Sequence, residues 1–104
     1  MALYFSGTSQ AEYDLLALAS RRGHAVERTI WCYGDEQYGP RARPLAVAFA
    51  FKRAKQDNST PLIITIHDIE GFHCELVSGA HRLRGGLTPE NHFVEPVTVK
   101  DFYW

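Results

Sequence analysis

Residues 61–99 read PLIITIHDIEGFHCELVSGAHRLRGGLTPENHFVEPVTV, and the fold turns on them. Leu62–Ile66 (LIITI) is apolar on both faces, which suits a central strand. After a turn at Glu70-Gly71, residues 72–77 alternate: Phe72, Cys74 and Leu76 fall on one face, His73, Glu75 and Val77 on the other. Ser78-Gly79-Ala80-His81-Arg82-Leu83-Arg84 follows directly. Ser78 reads as a helix cap, with the amides of residues 80–82 at a helix N-terminus, and such an end attracts phosphate through its N–H groups and dipole. Gly79 lets the backbone approach an anion with no Cβ in the way. Arg82 adds a planar cationic fork and Arg84 assists. The plain alternative is a strand-to-helix turn with solvated arginines. Residues 93–99 form a last strand.

The upstream half supplies the remaining elements. Residues 2–6 read as a short strand ending at Gly7. Ser9 and Glu12 have the spacing of a capping box, so a helix starts there and runs to about Arg22, with Leu15, Leu16, Leu18 and Ala19 buried and Gly23 stopping it. Residues 25–33 read as a strand, and Gly34 to Arg43 as a loop broken at Gly39-Pro40. Pro44 suits the first turn of a second helix running to about Gln56, with Leu45, Ala48, Phe49 and Phe51 on its buried side. The expectation is one α+β domain over residues 1–104, with a mixed sheet and two to three helices.

Composition narrows the function classes. The chain has 104 residues, 45% of them apolar, and a formal net charge of −1. No general basic field is available to hold nucleic acid. Residues 1–57 carry eight Lys/Arg against six Asp/Glu, and residues 58–104 carry three against six, so a phosphate site must be local. It would use Arg82 and Arg84, with Arg41 and Arg43 as auxiliaries. Cys32 and Cys74 lack metal-ligand spacing and read as reduced, buried thiols. Without a leader-like start or a long apolar run, a cytoplasmic protein is expected.

The order of apolar strand, Gly71 turn, alternating strand, then Gly79-Ala80-His81-Arg82-Leu83-Arg84 resembles the ParB/sulfiredoxin-like fold. Val94–Val99 resembles that family's next strand, and the helix at 44–56 fits before the first. The resemblance covers about residues 44–101 and leaves residues 1–43 unplaced. It implies a pocket that binds CTP or ATP with magnesium, in which Ser78, Gly79, Ala80, His81, Arg82 and Arg84 hold phosphate. Ala80 stands where sulfiredoxins carry their reactive cysteine and ParB-type proteins a glutamate, so neither chemistry is implied.

Two alternatives stay open. Leu3–Ser9 with its helix, and residues 44–51, are similar to the start of ADP-ribosyltransferase-like proteins. That likeness implies NAD as the ligand, Ser6 in place of the first catalytic residue and Glu75 as the late acid. The other is a non-catalytic interaction or inhibitor protein of a mobile element, with partner contacts through Trp31, Tyr33, Tyr103 and Trp104. Tyr, Trp and Arg are typical interface anchors, and aromatics beside Arg41 and Arg43 could also stack bases. His73 and Glu75 are candidates for proton transfer. His67, His73 and Glu75 could hold a metal if they met, although hairpin residues of this kind are commonly solvated and no metal is expected.

Overall fold

The structure is a computed structural model that describes residues 3–21, 30–67, 73–77, 80–84 and 92–97. Among the described residues six strands form one sheet: β1 (Leu3–Ser9), β2 (Ile30–Gly34), β3 (Pro61–His67), β4 (His73–Val77), β5 (Ala80–Arg84) and β6 (His92–Pro96). Its helices are α1 (Gln10–Arg21), α2 (Asp35–Tyr38) and α3 (Ala42–Asp57), with a 3-10 turn at Gly39–Arg41 before α3. The strand order is β4-β5-β2-β1-β3-β6. The α+β class matches the expectation. The sheet does not, because every pairing between described strands is antiparallel rather than mixed.

Antiparallel neighbours share a face at each register pair, so the ladders sort the core into two layers. On one face Phe5, Tyr33, Ile63 and Val97 pack with Ala46, Val47, Ala50 and Phe51 of α3. On the other, Tyr4, Cys32, Ile64, Ile66 and Val94 pack with Tyr13 of α1. Leu62–Ile66 is buried throughout, as an interior strand covered on both sides requires. Tyr13 Oη also lies 3.1 Å from Nε2 of His92 on β6, a hydrogen bond that fixes α1 against that face.

Gly7 is the hinge of the packing. It was expected to end a strand, but it sits inside β1, opposite Ile63. A Cβ there would collide with the carbonyl oxygen of Ala46 and come within 2.6 Å of the Ala50 nitrogen. The helix backbone therefore rests on the strand backbone, and only small residues fit at the crossing. Ala42, Ala46, Ala50 and Ala54, spaced four apart, are the buried row, with Val47 beside them. The expected buried side is thus corrected: Leu45, Ala48 and Phe49 are exposed, and Phe51 is half-buried. On α1, Leu15 is exposed as well, contrary to expectation.

Candidate functional site

Strand β2 reads Ile30-Trp31-Cys32-Tyr33-Gly34, and its alternation fixes what each face receives. Cys32 goes to the α1 side and is fully buried. Trp31 and Tyr33 go to the α3 side. Tyr33 is packed beneath α3, with its ring 5.5 Å from that of Tyr38, whereas Trp31 is 45% exposed. Strand β2 pairs with β1 only at Tyr33 and Gly34, and with β5 at Ile30, Trp31 and Cys32. Trp31 lies two residues past the last β1 pairing, alongside the stretch of β1 that carries Gly7.

Helix α3 lies over this side of the sheet. At about 100° per residue, Arg43 and Val47 lie roughly 60–100° round from Ala46 on one side, and Phe49 and Leu45 the same on the other. Arg43 Nη2 reaches Glu95 Oε1 on β6 at 3.1 Å, so that flank faces β6. The opposite flank faces β2, and Phe49 and Leu45 are 44% and 37% exposed on it. Lys52, also exposed, continues the same flank. Trp31 on β2 and Leu45 and Phe49 on α3 are thus large apolar side chains left exposed. Neither Trp31 nor Phe49 has a ring partner among the described residues.

Ala80, His81, Arg82 and Arg84 belong to β5, whose backbone pairs Arg82 with Trp31 on one side and with Glu75 on the other. The expected helix at residues 80–84 is therefore corrected to a strand. The backbone of His81–Leu83 is paired with both β4 and β2, so those amides serve the ladders and form no helix N-terminus. Val77 pairs with Ala80, and Ser78 and Gly79 lie outside the described residues, as do Tyr103 and Trp104.

Other expected groupings come apart. Arg43 is engaged with Glu95 on the β6 side, away from β5, so it is no auxiliary to Arg82. Arg41 is exposed at the end of the 3-10 turn. His67 lies on β3, its ring 5.6 Å from that of Phe93, and three strands separate β3 from β4, which carries His73 and Glu75. These three do not gather around a metal, and no group of three or more potential ligands occurs among the described residues. Ser6 is buried, and β5 and β2 lie between β4 and β1, so Ser6 and Glu75 share no cleft. Among the described residues no helix is long and apolar enough to cross a membrane.

A polar cluster closes the end of the sheet where β1 passes into α1. Ser9 Oγ accepts the Glu12 N–H at 3.1 Å, the expected half of the capping box. The reciprocal half is replaced. Glu12 Oε1 accepts from Thr8 Oγ1 at 3.1 Å, and its other oxygen pairs with Arg53 of α3. Asp57 Oδ2 accepts from Ser9 Oγ and, at 3.1 Å, from Arg53 Nε. Gln10 N donates to the Thr60 carbonyl at 2.8 Å and Ala11 N to Ser59 Oγ at 3.3 Å. All three first-turn amides of α1 are thus used within the fold, and this helix end is structural rather than an anion site.

The exposure of Phe49 and Leu45 runs against the sequence expectation. The signal was present in the alanines recurring every fourth residue, which mark a small-residue face and place the large side chains elsewhere. Comparison of the chain with protein-family models, with curated proteins and with solved structures finds no match.

Proposed function

We propose that the chain is a nucleotide- or nucleic-acid-phosphate-binding module, related in kind to the ParB/sulfiredoxin-like proteins that residues 79–84 resemble. The observation that supports this reading is the backbone pairing of Arg82 with the exposed Trp31. A guanidinium suits phosphate oxygens, and an uncovered indole suits a base or sugar. Because β5 spends its amides on its neighbours, phosphate would be held by Arg82, with Arg84 two residues on along the same strand face assisting; His81, the register partner of Cys32, falls on the opposite face and drops out of the expected set. CTP or ATP with magnesium is the first ligand class, and NAD the alternative.

The test is a thermal-shift screen of wild type and Arg82→Ala against CTP, ATP, NAD and a short DNA, with and without magnesium. A ligand at 100 times its Kd stabilises a fold by about 2.7 kcal/mol. In a domain of this size that is a rise of several degrees. The expected result is a rise with CTP or ATP that Arg82→Ala abolishes. A rise with NAD that survives Arg82→Ala would transfer the reading to the NAD-associated alternative. No rise with any ligand would sink both in favour of a protein-binding role.

A further inference from the structure

We infer that the outer face of α3 is a docking surface for a protein partner, and that the partner presents an amphipathic segment with carboxylates at both ends of an apolar stretch. This goes beyond the proposed function and does not rest on it. The geometry comes from α3 itself. At about 100° per residue, the buried Ala42, Ala46, Val47, Ala50 and Ala54 occupy an arc of roughly 140°. Arg41, Leu45, Ala48, Phe49, Lys52 and Lys55 fall within one arc of roughly 120° on the opposite side, and all six are exposed. A helix laid on a sheet ordinarily turns its large apolar side chains inward and its polar ones to water. Here Gly7 reserves the inner face for small residues, and a leucine and a phenylalanine four residues apart are left outside.

Charge says what covers them. From Arg41 to Gln56 the chain has five cationic residues and no Asp or Glu. Two of the five are engaged within the fold, Arg43 with Glu95 and Arg53 with Glu12 and Asp57. The other three, Arg41, Lys52 and Lys55, are those on the outer face, and none has an ion pair among the described residues. They bracket the apolar pair: Arg41 precedes Leu45 by four residues, and Lys52 and Lys55 follow Phe49 by three and six. A second copy of this face would set cations against cations. An anionic lipid surface holds a helix by the apolar area it buries, and Leu45 and Phe49 are only 37% and 44% exposed, which leaves little to insert. A nucleic-acid backbone would answer the cations and leave the apolar pair uncovered. A protein segment with apolar side chains between acidic ones answers both. Its carboxylates would stand on the order of 16 Å apart, the helical rise from Arg41 to Lys52.

The experiment selects phage-displayed random peptides of about 16 residues, enough to span the face as a helix, on the immobilised full chain. Enriched peptides are then measured by fluorescence polarisation against wild type, Leu45→Ser, Phe49→Ser and Lys52→Glu/Lys55→Glu, each first checked for an unchanged urea midpoint. The substituted side chains are all exposed, so folding is retained. The expected peptides combine Asp or Glu with Leu, Ile, Phe or Trp, and bind more weakly as salt is added. Phe49→Ser and the charge reversal should each weaken them by roughly 10- to 30-fold. Peptides that bind every variant as well as wild type, enrichment without acidic residues, or no enrichment would overturn the proposal. Vesicles of phosphatidylserine with phosphatidylcholine and a single-stranded oligodeoxynucleotide are run alongside. Binding of either that these variants abolish, with no peptide binding, would reassign the face to lipid or nucleic acid. A dimer that Phe49→Ser dissociates would reassign it to a second copy.

Discussion

Gly7 and Ala46 meet backbone to backbone: the position a Cβ would take on Gly7 is already filled by the carbonyl oxygen of Ala46. The neighbour that would have to yield is helix backbone, which cannot rotate away like a side chain. Gly7→Ala is therefore expected to lower stability by at least the roughly 1–3 kcal/mol typical of overpacking, and Gly7→Val to prevent folding. Urea midpoints of the two variants check this. A Gly7→Ala protein as stable as wild type would mean that the helix does not rest on the strand in this way.

The same crossing inverts the usual expectation for α3. Ala46→Leu and Ala50→Leu add volume where the helix meets the sheet and should destabilise strongly, although each is more hydrophobic than the residue it replaces. Leu45→Ser and Phe49→Ser remove apolar bulk from an exposed flank and should stay within about 0.5 kcal/mol of wild type. Thermal melts of the four variants decide it, and the prediction fails if the serine variants are the unstable pair.

Ser9 and Asp57 belong to one closed set of contacts with Glu12 and Arg53. Ser9→Ala removes a helix cap, at about 1 kcal/mol, and also takes a donor from Asp57. A Ser9→Ala/Asp57→Asn double-mutant cycle should show coupling of about 0.5–3 kcal/mol. Arg53 is partly solvated, so Arg53→Met should cost less than breaking a fully buried pair, and added salt should narrow the difference from wild type. Additive single-mutant losses would show the cluster to be a set of independent surface contacts.

Asn58 ends α3 in the left-handed region at φ 51° and ψ 48°, where its N–H donates to the Ala54 carbonyl. Asparagine and glycine tolerate that conformation and β-branched residues do not. Asn58→Gly should be neutral or slightly stabilising, and Asn58→Val should cost about 1–2 kcal/mol. Denaturant titration of the pair gives the sign.

The readings that succeeded from sequence were those set by local signals, apolar runs and caps. Leu62–Ile66, apolar on both faces, was expected to be a central strand and is one, and Ser9 with Glu12 marks the helix start that follows β1. The readings that failed were set by size and by non-local pairing. The buried face of α3 went to alanine because Gly7, about 40 residues earlier, draws the backbone close, and local periodicity carries no trace of that. Residues 80–84 were expected to start a helix because Ser78 resembles a cap. The same letters, two alternating runs joined by Ser-Gly, are also a hairpin signal, and pairing with β2 on the far side favours the strand. At the site, Arg82 and Trp31 were each visible as residue types. Their backbone partnership was not, since it joins strands about 50 residues apart.

Strand order also bears on how the chain reaches this state in time. Strand β1 is central in the sheet, and its full ladder, from Leu3 opposite His67 to Ser9 opposite Pro61, waits for a segment more than fifty residues behind it. Until that segment emerges, β1 has only a two-residue pairing with β2. Closure of so long a loop precedes most of the burial that repays it, the condition under which folding is slow. A chain that stops before residue 61 leaves most of β1 without its ladder, so the sheet is completed from its middle only after β3 has been made.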